Sequence, residues 1–325
     1  MEKNHLKEYI GQPHIVAYGN RLLNAVEQER NIPLNPLEFT GFAGLGKTSF
    51  AKLLATKMGE VSKGEFVFSE LSSGVTLPGF MQHWSNFIAG RRAVILIDEA
   101  QGLKNDKVKN ILKRLLETEK SVKTIIHEEY SLEANPFNQL FIFATNEEPR
   151  DSALFGPTSR TKQLQFLPFS RSEALAVMHL KASKWKIELT DAGGEYLVDR
   201  VLPNGRAISE LIETDALLHG GKITLEVAKQ IVAETSRFPG GLRRADIVTL
   251  IFIGKDEKGK QVQEIAAAAG GEDKRTTSYR IQWLAGLGLI RTASNGRKVL
   301  TQPGMDYLTK LQSANKNKKD KLAAA

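Results

Sequence analysis

Gly41-Phe42-Ala43-Gly44-Leu45-Gly46-Lys47-Thr48 places three glycines, a lysine and a hydroxyl at the spacing that cradles phosphate. Glycines let such a loop wrap closely and turn backbone N–H groups toward phosphate oxygens. Lys47 would reach the β- and γ-phosphates, and the Thr48 hydroxyl would bind Mg²⁺. Ser49 follows on the helix that the loop opens, whose positive N-terminal end favours anions. Gly41, Gly44, Gly46, Lys47, Thr48 and Ser49 are therefore candidate nucleoside-triphosphate ligands.

A second cluster begins 50 residues after Thr48. The apolar run Ala93–Ile97 ends in Asp98-Glu99, two carboxylates at the carboxyl end of a strand. Asp98 would hold Mg²⁺ through water, and Glu99 would polarise the attacking water. Leu140–Ala144 ends in Thr145-Asn146. Asn146 there either hydrogen-bonds a γ-phosphate or lytic water, or serves as a turn residue. Arg160 on a loop and Arg206 at a helix start each offer positive charge to a phosphoryl transition state. Residue chemistry alone does not separate that role from a surface arginine.

These residues need a scaffold. From 39 to about 170, apolar runs alternate with amphipathic helices: Phe66–Phe68, Ala93–Ile97, Leu140–Ala144 and Leu164–Phe166 as strands, with Pro36–Thr40 leading into the glycine loop. Continuous apolar runs of this kind suit buried parallel strands. The expected fold is α/β, a P-loop nucleotide domain over residues 1–170. Residues 171–236 read as helices only, with Ser170, Thr190 and Thr224 as starts, and form a lid. Ser236–Leu242 reads as a linker. Residues 237–312 give three helices and a hairpin around Asn295-Gly296, the order of a winged helix. Residues 313–325 read as a disordered basic tail. Trp84, Trp185 and Trp283 fall on apolar helix faces and are expected in cores.

The chain has 325 residues and a net charge of +8. Residues 237–325 hold 17 of the 45 Lys and Arg but only 8 of the 37 Asp and Glu. The positive excess therefore sits in the last quarter, which suggests an anionic partner such as nucleic acid. Cysteine is absent, which excludes disulfides and thiol chemistry and fits a cytoplasmic setting. The six histidines show no metal spacing. No uncharged apolar run reaches the about 18 residues of a membrane span.

Taken together, these motifs resemble the AAA+ ATPases and, within them, the RuvB Holliday-junction branch-migration motors, over about residues 6–310. Leu6–Gln12 is similar to the family's N-terminal box, which implies that Tyr9 and Ile10 pack around adenine. Gly41–Thr48 and Ile97–Ala100 resemble the Walker motifs, Phe143–Asn146 sensor 1, Ser159-Arg160 the arginine finger and Gly205–Ile208 sensor 2. The C-terminal Gly286–Thr292 and Asn295–Arg297 resemble the RuvB winged helix. The resemblance implies ATP and Mg²⁺ as cofactors and a hexameric ring on duplex or branched DNA. It implies Arg160 acting on a neighbour's ATP, with Arg275, Tyr279, Arg280, Arg291 and Arg297 meeting DNA without sequence preference. Gly156–Thr161 and Ala144-Thr145-Asn146 depart toward clamp-loader patterns. Residues 123–139, with Thr124–His127 and Tyr130–Leu132 as candidate strands, stand where RuvB docks its RuvA partner but differ in sequence. A divergent, phage- or mobile-element-like RuvB is the leading expectation. An ATP-switched DNA-binding assembly factor, such as a helicase loader or transposition regulator, is the alternative.

Overall fold

The computed structural model describes residues 3–116, 122–127, 130–146 and 161–323. The chain divides into two compact units, residues 1–176 with 204–206, and residues 177–203 with 207–325.

The first unit contains α1 (Pro13–Glu27), β1 (Leu37–Thr40), α2 (Lys47–Val61), β2 (Phe66–Ser72) and α3 (Leu77–His83), which continues as a π-helical turn over Trp84–Ile88. There follow β3 (Arg92–Asp98), α4 (Asp106–Leu115), β4 (Lys123–His127), β5 (Tyr130–Ala134), β6 (Gln139–Ala144), β7 (Lys162–Gln165) and the start of α5 (Arg171–Lys184). Five strands form one sheet in the order β2-β3-β6-β1-β7, and every neighbouring pair is parallel. All residues of β1 and β6 are buried. That is why β6 runs apolar without alternation from Leu140 to Ala144: both faces of a parallel sheet are covered. β1 instead alternates, and buries Glu38 and Thr40 with its apolar residues. One face packs on Phe39, Phe50, Leu54 and Met58, the other on Trp84, Ile95, Leu112 and Phe143. β4 and β5 pair antiparallel, as the candidate strands in 123–139 suggested.

The second unit contains β8 (Glu188–Leu189), α6 (Asp191–Val198), most of α7 (Gly205–Glu210), a π-helical turn at Leu211–Asp215, α8 (Ala216–Leu218), β9 (Lys222–Ile223) and α9 (Leu225–Glu234). The three expected helix starts are present as caps. Glu173, Gly193 and Val227 each donate a backbone N–H to the hydroxyl of Ser170, Thr190 and Thr224, respectively. The all-helical expectation needs one correction: β8 and β9 form a two-residue parallel pair, too short for any periodicity to show. Trp185 also departs from expectation, being 45% exposed, whereas Trp84 is 2% exposed.

The remainder is α10 (Arg244–Gly254), α11 (Val262–Ala268), α12 (Lys274–Gly286), β10 (Ile290–Thr292), β11 (Lys298–Leu300) and α13 (Gln302–Ala323). Its core is Leu242, Ile247, Leu250, Ile265, Ile281 and Leu284. The three-helix-plus-hairpin order is the one the sequence suggested. Two readings change. Residues 313–323, expected to be disordered, continue α13; their Lys, Leu and Ala are good helix formers. The expected linker at 236–242 is a packed joint. Arg237, nearly buried, pairs with Asp215 at 3.6 Å, and Gly240 donates its N–H to the Asp199 carbonyl at 2.7 Å. Gly241 has φ +73°, and a Cβ there would lie 2.1 Å from the Leu202 nitrogen. Only glycine meets both demands.

Candidate active site

Parallel strands put their carboxyl ends on one edge of a sheet, where ligands of open α/β folds bind. β3, β6 and β1 are consecutive neighbours, so Asp98, Asn146 and the glycine loop are brought to the same edge. Lys47 is the centre of the group. Its ammonium donates to the carbonyls of Gly41 (2.6 Å) and Phe42 (2.8 Å) and to Asn146 Oδ1 (2.8 Å). All three donors are spent, so an arriving phosphate must exchange with some of these acceptors. Lys47 is 7% exposed. Burial pushes its pKa down to about 8, with Asp98 opposing the shift and Arg206 adding to it.

Thr48 donates its hydroxyl to Asp98 Oδ2 at 2.7 Å, and the Glu99 N–H donates to Asp98 Oδ1 at 2.9 Å. Both carboxylate oxygens are thus oriented. Glu99 is exposed, with a left-handed backbone (φ 49°) at the strand end. Asn146 N donates to Gln101 Oε1 at 3.4 Å. Gln101 was not singled out in the sequence, and no spacing rule points to it.

The three loop glycines all have positive φ, and each is opposed by a different segment. A Cβ at Gly41 would lie 2.5 Å from the Phe166 carbonyl oxygen. One at Gly44 would lie 2.9 Å from both Arg206 Cβ and Asn204 Oδ1, and one at Gly46 would lie 2.5 Å from the Tyr9 hydroxyl. Tyr9 donates to the Gly46 carbonyl at 3.2 Å and packs edge-on against Phe50; burial pushes its phenol pKa well up. Ile10 beside it is half-buried, and Ser49 is exposed on the first turn of α2. The Gly205 N–H donates to the Gly44 carbonyl at 2.7 Å, so exposed Arg206 stands directly beside the loop. Arg160 lies outside the described residues.

A phosphate and its cation fit this donor set. The loop has space only for glycine, a buried ammonium faces neutral oxygens, and a hydroxyl–carboxylate pair stands beside it. Lys47 would hold the phosphates, and Thr48 and Asp98 the Mg²⁺.

The candidate DNA residues are placed unequally. Arg291 is exposed on β10, and Tyr279 is 42% exposed on α12. Arg275 falls on α12, its side chain outside the described residues. Arg280 requires correction as a phosphate contact. It pairs with both Glu272 and Asp246, and its side chain is 10% exposed. Arg297 donates to the Gly259 carbonyl (2.8 Å) and to Glu264 (3.0 Å), fastening the β10–β11 hairpin.

Residues 37–168 match the family model of the ATPase family associated with various cellular activities (AAA). No curated protein sequence matches the chain. Among solved structures, the Thermotoga maritima RuvB Holliday junction branch migration motor aligns with a TM-score of 0.70 at 18% identity, over 95% of this chain and 98% of that one. A point mutant of the same T. maritima protein aligns with a TM-score of 0.73 at 21% identity, over 95% and 99%. A second mutant gives 0.72 at 20%, over 95% and 98%. The chain therefore carries an AAA ATPase domain at residues 37–168, a hydrolase that uses ATP and Mg²⁺, within a fold shared with RuvB.

Proposed function

We propose that this ATPase is a DNA motor that translocates duplex DNA and drives branch migration of four-way junctions. The observation that carries the reading is the extent of the fold: the likeness to a Holliday-junction motor covers 95% of the chain, well beyond the ATPase segment, and takes in the basic C-terminal quarter. Lys47 holds the phosphates, and Glu99 orients and polarises water at the end of β3. Asn146 shares one hydrogen-bond system with Lys47, so loss of that bond to an incoming phosphate is relayed to β6. Mg²⁺, when bound, neutralises charge on the phosphates. Arg206 from the same subunit and Arg160 from the next would complete the site in a hexameric ring. Exposed Arg291 would meet the DNA backbone, giving affinity that falls steeply with salt and varies little with sequence. A RuvA-like protein is the expected partner, and a cytoplasmic setting is consistent with the helices, none of which is long and apolar enough to cross a membrane among the described residues.

One observation favours the alternative of an ATP-switched assembly factor. Arg280 and Arg297 are tied into ion pairs within the domain, which reduces the charge available to grip DNA. The test is strand exchange on a synthetic four-way junction with ATP, with Glu99→Gln as control. ATP-dependent migration lost in Glu99→Gln is the expected result. ATP-dependent rings or filaments without strand movement would sink the motor and leave the assembly factor.

A further inference from the structure

Gln12 stands outside every catalytic role assigned above, yet it is 3% exposed and holds a left-handed backbone, φ 54° and ψ 51°. A non-glycine residue keeps such a conformation where its surroundings over-determine it. The surroundings are plain. The Gln12 side-chain amide donates to the Leu167 carbonyl at 2.6 Å, and its oxygen accepts the Leu167 N–H at 3.0 Å. One side chain thus supplies the paired donor and acceptor that a neighbouring strand would supply. On one side of Leu167, Phe166 donates its N–H to the Thr40 carbonyl at 2.8 Å, and its own carbonyl stands over Gly41. On the other, the Phe169 ring lies 3.2 Å from where a Cβ on Gly11 would sit. Three residues before Gln12, Tyr9 holds the Gly46 carbonyl at the far end of the phosphate loop.

We propose that Gln12 is a positioning residue for nucleotide binding: by pinning Leu167 it fixes Phe166 against Gly41, so the segment 9–12 braces the phosphate loop at both ends. Both polar atoms of its amide are spent on Leu167, so its effect reaches the nucleotide only through the loop. Loop shape sets phosphate affinity, while Lys47, Asp98 and Glu99 set the chemistry. The inference rests on the ATP site alone and not on any action on DNA.

The experiment uses the full chain without DNA. Gln12→Ala and Gln12→Glu are compared with wild type by titration with a fluorescent ADP analogue, by KM and kcat for ATP, and by thermal melting. The expected result is a rise of about tenfold in Kd and KM with kcat within about twofold. Gln12→Glu should be at least as damaging as Gln12→Ala, because a carboxylate oxygen would then face the Leu167 carbonyl. A folded Gln12→Ala with wild-type Kd and KM overturns the proposal, as does a loss confined to kcat. If the variants melt below assay temperature, hydrogen exchange of the wild type decides. Slowed exchange of residues 165–169 on adding ADP supports the brace; exchange there that ignores ADP overturns it. A wild-type chain that does not bind the analogue would instead remove the nucleotide site itself, a distinct outcome.

Discussion

Nucleotide affinity should fall as pH rises through the titration of Lys47. In the free site, burial and Arg206 hold its pKa at about 8, against 10.5 for an ordinary lysine. A phosphate binds the charged form, so the bound lysine keeps its proton to higher pH. The sign follows: affinity is full below about pH 8 and is lost as pH climbs past it. At pH 9 about a tenth of the free sites carry the charge, so Kd should rise about tenfold between pH 7 and pH 9. The assay is titration with a fluorescent ADP analogue at constant ionic strength, because screening changes would otherwise mimic the effect. Lys47→Arg supplies the control, since a guanidinium keeps its charge throughout this range; its profile should be flat. Arg206→Gln removes one cause of the depressed pKa, so its midpoint should move to higher pH. A wild-type profile as flat as that of Lys47→Arg would refute the reasoning, because it would mean that Lys47 is fully charged in the free site at pH 9.

Three further outcomes separate structure from DNA contact in the second unit. Gly241→Ala would force a Cβ to within 2.1 Å of the Leu202 nitrogen at a positive φ, and should cost about 3 kcal/mol in urea unfolding; wild-type stability would show that the joint yields easily. Arg280→Ala leaves Glu272 and Asp246 without their cation and should cost about 3 kcal/mol. Arg291→Ala should leave the melting temperature unchanged, weaken binding to all DNA sequences alike and lower the salt slope by about 1. If Arg280→Ala melts like wild type and loses DNA affinity instead, the two arginines have been assigned the wrong way round.

What could be read from the sequence divides by range. The phosphate loop, the Asp98-Glu99 pair and the strand-end Asn146 are local patterns, in which residue type and short spacing carry the chemistry. The inner strands β3 and β6 are also legible, because burial on both faces writes itself as unbroken apolar runs. Gln12 was not legible as a brace, since its partner Leu167 lies 155 residues away and the contact uses main-chain atoms, which leave no mark on residue type. Arg280 misled for a related reason. A basic residue on a candidate recognition helix looks available for phosphate, and only the fold brings Asp246, 34 residues away, against it. Residues 313–323 misled differently: composition reports whether a segment can build a core, not whether it can continue a helix.

The glycine loop itself answers to two demands at once. Phosphate binding asks Gly41, Gly44 and Gly46 for backbone reach. The protein asks the same three residues for room, because Phe166, Asn204 with Arg206, and Tyr9 each fill the space where a side chain would stand. A glycine substitution in the loop therefore disturbs its packing against these neighbours as well as the phosphate cradle, and loss of activity in such a variant does not isolate phosphate contact. Lys47 does isolate it. Its bonds to Gly41, Phe42 and Asn146 all run to oxygens that a phosphate can replace, and its charge is the only property the pH profile reads. The lysine, rather than the glycines that make the motif recognisable, is where the chemistry of this site is open to measurement.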